Sequence, residues 1–340
     1  MTRAAIWLLF TGVLLFAGVL ASQGLAAVFA TLAVAGWGLP LVALVHLVPL
    51  SLDATSIRIL IDAERRRCSF REALLAKWVG EAANSFLPAG PIGGPVLMVR
   101  YLTQRGLSMR KVAAGVTVST TVQTFAQIVF SLTGIALLAA HAGQHAVRAQ
   151  LLVASGVLAS CLAAFYVMQR RGLFSKLMRA VARFARQRDW SQLLNHAEAI
   201  DAAIQDAYGR GGRLAVSFLC SLTGWFIGTV EVYVILQLLR TPIGWEEAFL
   251  LESLGQAIRA AGIVIPGSLG VQEGGYLLLA PLASLRPETA LALSLAKRSR
   301  EVLLGLPGLI YLQWSERGWR RRLVLPLRKV LRNSELDELR

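Results

Sequence analysis

The sequence contains little cysteine, little histidine and few acidic residues. Its three cysteines have no metal-type spacing, so neither a disulfide framework nor a zinc site is expected. The four histidines are scattered, and no P-loop, dinucleotide-binding fingerprint or Ser/His/Asp set is present. We therefore expect no cofactor, no metal and no enzymatic activity.

The shortage of acidic residues leaves a strongly basic chain. Thirty-five Lys and Arg face 20 Asp and Glu, which gives a formal net charge of +15. The basic residues gather in a few loops, whereas the loops near His141 and Thr241 are almost free of them. This alternation follows the positive-inside rule. The charge therefore indicates membrane topology, with both termini cytoplasmic, rather than a nucleic-acid partner.

Long apolar runs dominate the rest of the sequence. Hydrophobic residues make up 55% of the chain, and apolar spans of about 20 residues cross a bilayer. The pattern predicts an all-α polytopic membrane protein with about six crossings. These crossings are expected near residues 4–21, 39–61, 112–139, 151–168, 214–239 and 287–314.

Two stretches are too polar to span and too apolar for ordinary loops. They contain "NSFLPAGPIGG" and "GIVIPGSLGVQEGG", and each places a proline and glycines ahead of a long helix. By the crossing count they start from opposite sides, which predicts an inverted repeat with two re-entrant or broken hairpins. Tight interfacial loops are the alternative. The expected hairpin tips contain Asn84, Pro88, Gly90, Gly94, Pro266, Gly267 and Gly270.

The domain organisation follows from this pattern. Residues 1–316 form the membrane domain, with a first repeat at about 4–140 and a second at 151–168 plus 214–314. Residues 170–213 form a cytoplasmic connection, and 317–340 a basic cytoplasmic tail. Within the connection, residues 173–188 are amphipathic and basic, which suits an interfacial helix on an anionic leaflet. A helix packed on the protein's own loops would show the same pattern.

The sixth crossing carries charges near its middle, in "LAKRSREVLL". Such charges should face the protein interior or water, with Glu231, Glu252 and Glu273 as candidate partners. Lys297 and Glu301 are four residues apart and could pair. A surplus of cations predicts a basic cavity for an anionic or polar head group, whereas a purely structural ion-pair network is the alternative. The candidate cavity residues are Thr120, Gln127, Arg259, Glu273, Lys297, Arg298, Arg300 and Glu301.

The tip residues, followed by Arg298, Arg300 and Glu301, form a pattern that resembles the transmembrane, flippase-like domain of the lysylphosphatidylglycerol synthase family. "VIPGSLGVQEGGYLLL" and "PETALALSLAKRSREVLLGLPGLIYLQW" are most similar to its hopanoid-biosynthesis-associated branch. The resemblance implies a bacterial inner-membrane protein that moves or handles lipids. Its implied partners are membrane lipids and lipid-biosynthesis enzymes. The family's soluble lysine-transferring domain is not expected here.

Three functional hypotheses follow. The first is a lipid flippase without covalent chemistry, with a hopanoid or an anionic phospholipid as cargo. The second is a non-catalytic accessory subunit of a lipid-modification pathway. The third is a membrane enzyme in which Glu273 is a general base and Arg298 binds phosphate. The sequence leaves the oligomeric state open.

Overall fold

The computed structural model describes residues 33–61, 66–86, 90–141, 191–262 and 265–337, together with residues 30, 156 and 167. Within them every extended regular element is a helix and no strand occurs, which confirms the all-α prediction. The helices are α1 (Leu39–Leu60), α2 (Phe70–Phe86), α3 (Gly90–Thr103), α4 (Met109–His141), α5 (Ser191–Gly209), α6 (Gly211–Leu238), α7 (Trp245–Ala261), α8 (Val271–Leu279) and α9 (Pro287–Asp337).

Three described helices are long and apolar enough to cross a membrane. They are Ala33–Leu60, Met109–Ala140 and Gly211–Leu238, at the predicted second, third and fifth crossings. Helix α9 covers the predicted sixth crossing, where charges interrupt the apolar run, and continues to Asp337 through most of the predicted tail. The first and fourth crossings and the amphipathic segment 173–188 lie outside the described residues, apart from single positions. The crossing count therefore stays a prediction.

The first predicted break lies between α2 and α3, which pack together as a helical hairpin. Asn84 Oδ1 accepts a hydrogen bond from the backbone N–H of Gly94 at 2.8 Å. Gly94 has no room for a side chain, since a Cβ there would lie 2.6 Å from the carbonyl oxygen of Gly80. Pro88 lies outside the described residues, and Gly90 is the first residue of α3.

The second break lies between α7 and α8, which form a second helical hairpin. A short 3-10 turn, Pro266–Ser268, separates the two helices. Gly267 and Gly270 have φ angles of 64° and 79°, a region that glycine adopts without steric cost. The N–H of Gly270 donates to Glu273 Oε2 at 2.8 Å, which caps the start of α8.

The two hairpins enter from opposite ends and meet in the middle. The open end of α2–α3 packs in one apolar cluster with Ile57 and Val116, and that of α7–α8 in another with Val42 and Leu293. Between these clusters, a Cβ at Gly267 would lie 3.4 Å from the carbonyl oxygen of Ser85. Opposed hairpins are what an inverted repeat requires, but the symmetry of the two halves stays a prediction.

The close approach within the first hairpin yields a stability prediction. Gly94→Ala should lower the free energy of unfolding by about 1–3 kcal/mol, the usual cost of overpacking, because the new methyl group meets backbone. The matched control is Gly274→Ala in α8, where a Cβ meets nothing within 4 Å. Thermal unfolding of the detergent-purified variants measures both. Equal losses in the two variants would contradict the packing described here.

Candidate functional site

A cavity of about 420 Å³ with many charged and polar residues in its wall lies between the hairpin tips. Its walls come from the middle of α1, α4, α6 and α9 and from the tip-proximal parts of both hairpins. The two apolar clusters lie beyond it toward either end of the bundle. The titratable and permanently charged side chains in its wall are His46, Asp53, Lys77, Glu81, Glu231, Glu252, Arg259, Arg300 and Glu301.

The structure brings five of the eight predicted cavity residues and two of the seven predicted tip residues to this cavity. Those in its wall are Asn84, Thr120, Gln127, Arg259, Gly267, Arg300 and Glu301. Glu273, Lys297 and Arg298 are not wall residues, because their side chains bind protein groups behind the surface. Gly94 and Gly270 shape the hairpin breaks without lining the cavity.

Arg298 holds the second hairpin tip together. Its guanidinium donates to the carbonyl oxygens of Gly267 at 2.6 Å and Ser268 at 3.2 Å, and its Nε lies 3.1 Å from Glu273 Oε1. These carbonyls belong to the break between α7 and α8, where backbone groups have no regular α-helical partner. Glu273 is fully buried and also accepts a hydrogen bond from Ser294. Glu273 therefore does not face the cavity, contrary to the sequence-based expectation.

Lys297 pairs with a distant carboxylate rather than with its helix neighbour. Its Nζ lies 2.5 Å from Glu252 Oε2 and 3.8 Å from Glu231 Oε1, and all three side chains are almost completely buried. The predicted partner, Glu301, instead binds Arg259 at 2.7 Å. Burial explains the choice: Glu252 is almost completely buried and needs a cation, which Lys297 supplies, whereas Glu301 has Arg259 as its partner.

The first half contributes charged groups that the sequence-based site lacked. Lys77 Nζ lies 3.0 Å from Asp53 Oδ2 and 3.5 Å from Glu81 Oε1, and Gln123 donates to Asp53. Lys77 also lies in the cavity wall. A signal was available. His46 and Asp53 interrupt an apolar run seven residues apart, which is about two helical turns and so one face.

His46 and Arg300 join the two halves of the protein. The imidazole Nδ1 of His46 lies 3.2 Å from Glu231 Oε2 on α6 and 2.6 Å from a guanidinium nitrogen of Arg300 on α9. Its Nε2 lies 3.5 Å from Glu81 Oε2 on α2. Arg300 in turn binds Glu231 at 2.8 Å. A continuous polar network therefore crosses the centre of the bundle.

The charge of the cavity wall corrects the expectation of a basic site. Five carboxylates face only three permanent cations in the wall, which are Lys77, Arg259 and Arg300. The surplus of cations holds for the central part of α9 alone. It disappears in the folded protein because acidic residues from four other helices converge on α9. The resulting surface is mixed in sign, with a slight acidic excess.

The wall also offers neutral hydrogen-bonding groups. Thr120, Thr124 and Gln127 line one side, and the hydroxyl of Ser221 is buried without a hydrogen-bond partner in the described structure. Among the described residues, no group of three or more His, Cys, Asp or Glu side chains has a metal-binding arrangement. The wall therefore offers hydrogen-bond donors and acceptors to a polar group.

The buried pair at Lys297 gives a second stability prediction. Lys297→Met should cost about 3–5 kcal/mol of folding stability, because it leaves the Glu252 carboxylate buried without its cation. Adding Glu252→Gln should recover much of that loss, since the unpaired charge is then removed as well. Thermal or denaturant unfolding of both single variants and the double variant measures the coupling. Strictly additive losses would show that the two side chains do not interact.

Comparison with known proteins agrees with this structure. A protein-family model described as "Lysylphosphatidylglycerol synthase TM region" matches residues 6–308, which is most of the chain. A search of curated proteins found no match. The family match and the apolar helices establish a helical membrane protein related to lipid handling. The chain belongs to the lysylphosphatidylglycerol synthase transmembrane-region family.

Proposed function

We propose that this protein is a flippase-like lipid transporter that passes a polar head group through its central cavity. The observation that carries the proposal is the position of the cavity, at the meeting point of two hairpins that enter from opposite ends. Broken helices that meet at mid-depth are typical of transporters in which a substrate site is exposed to each side in turn. The lipid tails would stay in the surrounding bilayer.

The charges of the cavity wall limit which lipid head groups fit the site. Five carboxylates and three cations do not favour a purely anionic phospholipid over other lipids. A zwitterionic head group, or one rich in hydroxyls, matches the mixed charges and the Thr and Gln side chains better. A hopanoid fits this site if it carries such a polar group. A bare hydrocarbon ring system offers no hydrogen-bond donor or acceptor to the polar groups of the wall.

The geometry favours transport over covalent chemistry. The enzyme hypothesis assigns Glu273 as base and Arg298 as phosphate clamp, but each is committed to the second hairpin tip. Neither belongs to the cavity wall. We therefore propose a non-enzymatic protein of the bacterial inner membrane. The basic loops support cytoplasmic positions for both termini.

A plugged cavity tests the proposal. Thr124 lies in the wall and is exposed, so Thr124→Trp should fill space without breaking a packed contact. The matched control is Phe125→Trp on the next residue, where an aromatic ring already packs against Phe218 outside the cavity wall. Purified protein is reconstituted in liposomes with head-group-labelled zwitterionic, anionic and hydroxylated lipids, and an impermeant quencher is added.

The expected result is complete quenching of at least one lipid by wild type and by Phe125→Trp. Thr124→Trp should leave the inner-leaflet fraction protected, because its ring occupies the head-group space. Nucleotide is omitted throughout, since the sequence has no P-loop. Equal rates for Thr124→Trp and Phe125→Trp would show that lipids do not pass through this cavity. No quenching of inner-leaflet lipid by folded wild type would refute transport of the lipids offered.

A further inference from the structure

His46 has an unusual position among the charged groups of the cavity. It lies midway along α1, yet it contacts side chains of three other helices: Glu81 on α2, Glu231 on α6 and Arg300 on α9. Its side chain is largely buried. An imidazole at such a junction changes its hydrogen-bonding pattern when it gains a proton.

The contacts around Nδ1 cannot all be satisfied in one protonation state. Arg300 is a donor only and lies 2.6 Å from Nδ1, so this contact requires a lone pair on Nδ1. The proton of a neutral imidazole then sits on Nε2 and points to Glu81. Glu231 Oε2 lies 3.2 Å from Nδ1 but is an acceptor, and it would need a proton there. The neutral ring therefore selects Arg300.

Protonation reverses this choice. A proton on Nδ1 would point at the guanidinium of Arg300, and the two groups would then carry like charges. Glu231 becomes the natural acceptor, so Arg300 must move away from the ring. Besides Glu231, which Arg300 already binds at 2.8 Å, the carboxylate beside its guanidinium is Glu301, at 3.6 Å. Other charges lie close to the partners of the ring. Lys77 on α2, which also pairs with Asp53 on α1, lies beside Glu81, and Lys297 on α9 lies beside Glu231.

Movement of Arg300 would reach the second hairpin through Glu301. That carboxylate binds Arg259 on α7 at 2.7 Å and Arg298 at 3.2 Å, and Arg298 holds the tip carbonyls. Helix α1 also has a weak point nearby. Pro49, three residues after His46, removes one backbone hydrogen bond and lets the helix bend.

We propose that His46 is a proton-operated link between the two halves, and that its protonation releases Arg300 and opens the contact between the hairpin tips. The proposal deepens the proposed transport function, on which its physiological role rests. It makes access to the cavity depend on pH within the range of about 5 to 8 in which histidine commonly titrates. Proton binding and head-group binding would then influence each other.

Cavity access can be measured without transport. Thr124→Cys is introduced into full-length protein whose three native cysteines are replaced by Ala. Its reaction rate with an impermeant methanethiosulfonate reagent is followed across pH about 5.5 to 8 in proteoliposomes. The same series is measured in a His46→Asn background. At each pH the rate with His46 is divided by the rate without it, which removes the thiol's own pH dependence. The ratio should change by at least about fivefold, the lower end of typical coupling between sites.

Two further variants make the result decisive. Arg300→Gln should abolish the His46-dependent pH change, because the group displaced by protonation is gone. His196→Asn, on α5, should leave the change intact. Size-exclusion profiles report folding, and Arg300→Gln carries the test if His46→Asn does not fold. The link would be overturned if the folded His46→Asn variant, or the folded Arg300→Gln variant, had the same pH profile as wild type.

The scrambling assay separates this proposal from the transport proposal. Access that depends on His46 and pH, without scrambling of any lipid, would retain the link and refute transport of the lipids tested. Scrambling whose rate has the same pH profile with and without His46 would support transport and refute the link. The expected result is scrambling with a pH dependence that His46→Asn removes.

Discussion

The central constraint on this structure is the energetic penalty of placing charges inside a membrane-spanning bundle. Each buried charge must meet a partner, because an unpaired one costs several kcal/mol. The helices are therefore held at the positions that let Lys297 reach Glu252, Arg300 reach Glu231 and Lys77 reach Asp53. These pairs join segments far apart in sequence. The same pairs surround a central cavity that lies between two apolar clusters of the bundle.

The broken hairpins are stable because the network also satisfies their backbone. Non-helical backbone inside a membrane protein needs internal donors and acceptors. Arg298 donates hydrogen bonds to the carbonyl oxygens of the second tip, and Glu273 accepts one from the backbone N–H of Gly270. Asn84 fills a similar role in the first hairpin through Gly94. The residues that shape the tips therefore lie in the cavity wall, as Asn84 does, or directly behind it, as Arg298 and Glu273 do.

Sequence patterns predicted the fold better than the site. Apolar runs and Pro-Gly breaks located α1, α4, α6 and both hairpins, because these features depend on local chemistry. The partners of the α9 cations, Glu231, Glu252 and Glu273, were also correctly identified. The sequence did not predict which partner each cation takes, nor that Asp53 and Glu81 belong to the site, because both depend on the tertiary arrangement. His46 was detectable as a titratable group in an apolar helix, but its contacts were not.

The central claim is that the hairpin tips lie at mid-depth of the bilayer and border a water-accessible cavity. A spin label at Ser85→Cys, in protein without the native cysteines, tests it directly, because Ser85 lies at the first tip and in the cavity wall. Collision rates with oxygen and with a polar nickel chelate are compared with lipid depth standards in the same vesicles. We expect frequent collisions with the chelate, and distances to spin-labelled lipids that place the label near the bilayer centre. A label located at the interface, or one at mid-depth that oxygen alone reaches, would contradict it.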